Sequence, residues 1–115
     1  MLSIAVIDDE PDLVTLFSKV LQQNGYQVYK FNDSLEALDH IGKNPHKYNL
    51  IVSDFRIPRL NGYQLITKLK EKNPHFKTIL MFAFIDVQYD SSITLISKPI
   101  LLSQLVSIVK KTLCN

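Results

Sequence analysis

The sequence predicts an α/β protein, a doubly wound five-stranded parallel sheet of order 2-1-3-4-5 with helices on both faces. Short apolar runs recur at 3–7 (SIAVI), 50–53 (LIVS), 79–84 (ILMFAF) and 93–96 (ITLI) without polar alternation, the pattern of strands buried on both faces. Stretches of helical periodicity separate most of them, so the connections are long enough to join parallel strands. Right-handed crossovers leave few windings open, and five strands favour this one.

The first strand, 3–7, leads into a helix on which Leu13, Leu16, Phe17, Val20 and Leu21 recur at helical spacing, and Asn24-Gly25 stops it. YQVYKF (26–31) is the next strand. Asp33 or Ser34 caps a second helix that carries Leu35, Leu38 and Ile41 and ends near Gly42. After LIVS, Asn61-Gly62 opens a third helix with Leu65, Ile66 and Leu69. Lys68, Lys70 and Lys72 in its last turn suit the negative end of the helix dipole, and Pro74 stops it. The fourth and fifth strands follow, with only a short connection between them. The last helix begins after Pro99 and carries Leu102, Leu105, Val106, Val109 and Leu113 on one face, with Lys110 and Lys111 near its end. Leu101 and Ile108 fall outside that stripe. An apolar surface so wide predicts burial against something further, such as a second copy of the chain in a homodimer.

Composition narrows the function classes. With 115 residues, 46% hydrophobic and 21% charged, the chain reads as one domain, 1–115, with its own core. Thirteen basic and eleven acidic side chains are interspersed for a net charge of +2, so no basic stripe proposes direct nucleic-acid contact. The start, MLSIAVIDDE, lacks a basic region before its apolar run, which stops at Asp8; it is expected to be neither signal peptide nor membrane span. The single cysteine, Cys114, excludes an intramolecular disulfide and fits a cytoplasmic protein. His40, His46 and His75 show no metal-ligand spacing, and neither a Ser-His-Asp order nor a glycine-rich phosphate loop is present.

In a doubly wound sheet all strands end at one edge, and a crevice opens between the first and third, where the winding reverses. Asp8 and Asp9 close the first strand, Asp54 closes the third in LIVSDFRIP, and Lys98 closes the fifth in ISKP. Three carboxylates and one ammonium therefore converge. Two unit charges about 4 Å apart interact by about 4 kcal/mol at an effective dielectric near 20, so such a cluster calls for a divalent cation. Few ligands, all hard oxygens, fit Mg²⁺ with retained waters better than a calcium cage or a zinc site. Lys98 adds a charge suited to phosphate oxygens. Aspartate is also a competent nucleophile that forms an aspartyl phosphate, and phosphoryl transfer needs mainly in-line positioning and neutralised oxygens.

With Asp8-Asp9 after an apolar strand, DFRIPRLNG at 54–62 and Lys98-Pro99 in that order, the chain resembles the flavodoxin-like receiver domains of two-component response regulators along essentially its whole length. The resemblance implies that Asp54 accepts phosphate from a histidine kinase or phosphotransfer protein. It implies that Asp9 directly and Asp8 through water hold Mg²⁺, with Asp54 and the backbone carbonyl of Arg56 as further ligands. Lys98 would contact the phosphoryl group, and the Lys98-Pro99 bond is expected to be cis. The implied role is a stand-alone cytoplasmic receiver that signals to a downstream protein partner, and no enzyme beyond its own phosphorylation and dephosphorylation.

The sequence also departs from the family pattern. The fourth strand of a receiver ends in a Ser or Thr that hydrogen-bonds the phosphoryl oxygen, and a switch aromatic stands three residues before the lysine; here Ala83, followed by Phe84, and Leu95 occupy those places. The lost hydroxyl leaves space beside the phosphate, towards which a cationic Arg56 side chain can reach. Fifteen positions separate Ala83 from Lys98, shorter than the usual spacing by about two helical turns, and DVQYDSSI (86–93) lacks an apolar stripe. The fourth helix is accordingly expected to be a stub or a loop. These departures carry the alternative, a pseudo-receiver that binds partners independently of phosphate. A magnesium phosphohydrolase would need a second aspartate where Arg56 stands.

Overall fold

The structure, a computed structural model, describes residues 1–83 and 92–114. Five strands, β1 (Ser3–Ile7), β2 (Gln27–Phe31), β3 (Leu50–Asp54), β4 (Lys77–Phe82) and β5 (Thr94–Ser97), form one sheet in the order β2-β1-β3-β4-β5. All four pairings are parallel, as the apolar runs and helical crossovers predict. The helices are α1 (Pro11–Gln23), α2 (Ser34–Lys43), α3 (Gly62–Lys72) and α4 (Leu102–Cys114). The predicted short or missing helix before β5 lies outside the described residues, as does Phe84.

Successive side chains of a strand point to opposite faces, and β1 divides accordingly. Ile4 and Val6 join Phe17 and Leu21 of α1 and Leu105 and Val109 of α4 in one core; Ala5 and Ile7 join Ala37 and Ile41 of α2 and Leu65 and Leu69 of α3 in the other. Helices on both faces bury every residue of β1 and β3. Of the runs expected to be buried on both faces, the edge strand β5 differs, with Ile96 buried and Leu95 41% exposed; the other edge strand, β2, is half-exposed. An edge strand has one neighbour only, and the ITLI run carries no mark of that position.

Local chemistry sets the helix ends. Pro11 starts α1, its fixed φ suiting the first helical position. At the other end Gly25 takes φ +91°, which brings the Tyr26 N–H onto the Leu21 carbonyl at 3.3 Å. Asp33, rather than Ser34, caps α2 by accepting from the Leu35 and Glu36 N–H groups at 2.8 and 3.3 Å. Asn61 and Gln64 form a reciprocal capping box on α3. Of the apolar positions read as inward, Leu16 and Leu35 are exposed instead, while Val14, Ser18 and Ser34 are buried. On α4 the extra apolar position Ile108 packs against the core formed with α1, which accounts for half of the wide stripe, whereas Leu101 is 65% exposed. β4 begins two residues before its apolar run because Thr78, though polar, is buried.

Candidate functional site

The winding reverses at β1, since α1 covers one face and α2 and α3 the other, and the carboxyl ends of β1 and β3 flank the crevice so formed. Asp54 is the last residue of β3, Asp8 and Asp9 follow β1, and Lys98 follows β5. Carboxylate oxygens of Asp8, Asp9 and Asp54 lie within 4.8 Å of one another. Lys98 Nζ donates to Asp54 Oδ1 at 2.8 Å and stands 3.6 Å from Asp8 Oδ2. The four charged groups predicted to meet do meet.

Backbone bonds hold them there. The Asp8 N–H donates to the Phe31 carbonyl at 3.1 Å, carrying the β1–β2 ladder one residue past the strand. Phe55 N–H bonds Met81 O and Lys98 N–H bonds Phe82 O, both at 2.7 Å, so β4 aligns the end of β3, where Asp54 stands, with the lysine after β5. The Lys98-Pro99 bond is cis. Gly62 approaches the Asp54 carbonyl so closely that a Cβ there would overlap it and stand 2.8 Å from Leu80 Cδ1. That packing is the physical reason for glycine at the end of DFRIPRLNG.

Burial sets the electrostatics. Asp8 is fully buried; its Oδ1 accepts from the Glu10 N–H at 3.0 Å, while its Oδ2 has no hydrogen-bond partner. Desolvation raises the Asp8 pKa to about 6, against the opposing Glu10 bond and with added repulsion from Asp54. Burial works to lower the Lys98 pKa, but the Asp54 hydrogen bond and the charges of Asp54, Asp8 and Glu10 outweigh it and leave the group raised. An orphaned, buried carboxylate oxygen beside two further carboxylates fits a hard divalent cation.

Asp9, Glu10, Asp54, Phe55, Arg56, Ala83 and Lys98 line an open cavity of 390 Å³ at this edge. Ala83 borders it without a hydroxyl, and the exposed Arg56 borders it from the loop after β3. Two features escape the motif reading. Glu10 lines the cavity and acts on Lys98, a role its place in the Asp8-Asp9-Glu10 run made visible. Ser34 turns its hydroxyl to the Pro58 carbonyl at 3.2 Å, and Asp33 pairs with Arg59 at 3.7 Å, so the start of α2 braces the loop after Asp54. Those contacts join residues some two dozen positions apart, and nothing local signals them.

The comparisons agree with this geometry. The family model of the response regulator receiver domain matches residues 4–110. Sporulation initiation phosphotransferase F of Bacillus subtilis is 27% identical over 96% of this chain and 92% of its own. The alkaline phosphatase synthesis transcriptional regulatory protein PhoP of the same organism is 36% identical over 76% of this chain, which spans only 35% of that longer protein. A response regulator receiver domain protein from Clostridium thermocellum superposes with a TM-score of 0.85 over 99% of this chain and 95% of that one; at 20% identity it shows the fold. No described helix is long and apolar enough to cross a membrane. With its strand order, its strand-end charges and this match, the chain belongs to the response regulator receiver domain family, phosphoryl-accepting signalling modules of two-component systems and not classical enzymes.

Proposed function

We propose that Asp54 accepts a phosphoryl group from a phosphohistidine of a histidine kinase or phosphotransfer protein, and that the phosphorylated chain signals as a stand-alone cytoplasmic receiver through protein contacts. The observation that carries this reading is Asp54 itself, 7% exposed, open to a cavity and held by Lys98 at 2.8 Å beside two further carboxylates.

Asp8, Asp9 and Asp54, with the Arg56 backbone carbonyl, would hold Mg²⁺, which when bound neutralises phosphoryl oxygens. The chain's own groups do the rest. An Asp54 carboxylate oxygen forms the bond to phosphorus as the bond to the donor imidazole nitrogen breaks, and that nitrogen keeps the electron pair. Lys98 passes from the Asp54 carboxylate to a phosphoryl oxygen, its raised pKa keeping it charged throughout. Incubation with Mg²⁺ and acetyl phosphate is expected to add one phosphoryl mass to the wild-type chain and none to Asp54→Asn. An unlabelled wild type under saturating donor would overturn the reading.

Ala83 and the exposed Leu95 favour a second reading, a pseudo-receiver that engages partners regardless of phosphate. Partner affinity unchanged by Asp54→Asn would select it.

A further inference from the structure

The chain between Asp54 and α3 makes two three-residue turns. Ile57 N–H donates to the Phe55 carbonyl at 3.2 Å around Arg56, and Leu60 N–H donates to the Pro58 carbonyl at 2.8 Å around Arg59. Arg59 takes φ +72°, and among the described residues no other non-glycine residue has a positive φ. A bond of this span at that φ is the rare, strained form of the turn, a conformation that persists only where its surroundings over-determine it. Those surroundings are supplied by the start of α2. Ser34, 1% exposed, donates its hydroxyl to the Pro58 carbonyl at 3.2 Å, and Asp33 faces Arg59 at 3.7 Å. The loop cannot shed the strain outward, because Phe55 is bonded to Met81 and to Gly62, and Ile57 and Leu60 are buried in the core with α2 and α3. Relaxation at Arg59 must therefore be taken up within the loop, where Arg56 borders the Asp54 cavity.

We propose that Ser34 is a positioning residue of the acceptor site: its hydroxyl holds Arg59 in the strained turn and so sets the Arg56 backbone for a divalent cation. The inference rests on the proposed reading of Asp8, Asp9, Asp54 and the Arg56 carbonyl as the cation site. A backbone carbonyl serves as a cation ligand only in a defined position, and the groups that orient a ligand matter nearly as much as the ligand itself. Other bonds already meet the local needs of the fold. The Pro58 carbonyl accepts from Leu60, and α2 is capped by Asp33 through the Leu35 and Glu36 N–H groups. The effect of the Ser34 hydroxyl therefore falls on the shape of the turn.

The test titrates Mg²⁺ into the wild type, Ser34→Ala, Arg59→Gly and the double variant, following the amide signals of Asp9 and Asp54. Loss of one hydrogen bond that supports the binding geometry is expected to weaken Mg²⁺ about three- to tenfold in Ser34→Ala. A hydroxyl that only stabilised the fold would leave the affinity of the folded protein unchanged. Glycine takes positive φ without steric cost, so Arg59→Gly frees the turn from its brace; alone it should bind Mg²⁺ within about twofold of wild type, and adding Ser34→Ala to it should cost less than about twofold. Independently of the ion, the amide signals of Arg56 and Leu60 are expected to shift in metal-free Ser34→Ala while that of Val6 stays in place. Wild-type affinity in Ser34→Ala, an equal loss with and without Arg59→Gly, or an unmoved Arg56 signal would overturn the inference and leave the cation site standing. No Mg²⁺ binding by the wild type, with the ion in large excess, would overturn both.

Discussion

Asp8→Asn is predicted to stabilise the metal-free protein. In the folded chain the Asp8 carboxyl is raised from 3.8 to about 6, and its side chain is wholly buried, so solvent screening does not discount the effect. A shift of about two pKa units corresponds to about 3 kcal/mol between the two protonation states. The sign follows from linkage. An acid whose folded pKa lies above its unfolded value binds its proton more tightly when folded; stability is highest below about pH 4, falls as pH rises to about 6, and is level above. Asparagine keeps an acceptor for the Glu10 N–H and removes the buried charge, while giving up the 3.6 Å approach of Lys98. The expected gain near neutral pH is therefore about 1–3 kcal/mol. Urea unfolding in a chelator at several pH values reads it directly. The wild-type curve should decline between about pH 4 and 6, and the variant's should lack that component. A variant less stable than wild type at neutral pH, or with an unchanged decline, would refute the account of Asp8 as a charge held against its own desolvation. If Asp8 takes part in holding Mg²⁺ as proposed, the same titration is expected to weaken Mg²⁺ binding as pH falls below about 6, because proton and ion then compete for the carboxylate, and a pH-independent affinity would count against that role.

Two further substitutions test the packing and the missing hydroxyl. Gly62→Ala forces a Cβ onto the Asp54 carbonyl and to 2.8 Å from Leu80 Cδ1; relief requires backbone movement at Asp54. It is expected to cost about 1–3 kcal/mol in urea unfolding and to slow labelling by acetyl phosphate, and a variant of wild-type stability would contradict the contact. Ala83→Thr places a hydroxyl on the cavity wall, where it can hydrogen-bond a phosphoryl oxygen. Beryllofluoride should then shift more amide signals than in wild type, and identical spectra with and without it in the variant would count against that role for residue 83.

The parts of the fold that were legible are those where one residue type answers one physical demand. Unbroken apolar runs at 3–7 and 50–53 mean strands covered on both faces, and β1 and β3 are buried throughout. Asp8, Asp9, Asp54 and Lys98 could be placed together because parallel strands end at a common edge, so strand-end charges far apart in sequence become neighbours without any side-chain detail. What stayed hidden depends on the partner an element finds. Leu16 and Leu35 have the hydropathy and spacing of core residues, yet each sits just off the buried arc of its helix, a rotation that periodicity over three turns resolves poorly. Leu95 looks like Ile96 in sequence, and only the edge position of β5 separates the exposed face from the buried one. The brace from Ser34 to Pro58 needs the start of α2 and the loop after β3 at the same sheet edge, a consequence of topology that no local pattern carries. Chemistry written as charge at strand ends thus reads forward from sequence, whereas shape beside that chemistry emerges only when the layers close.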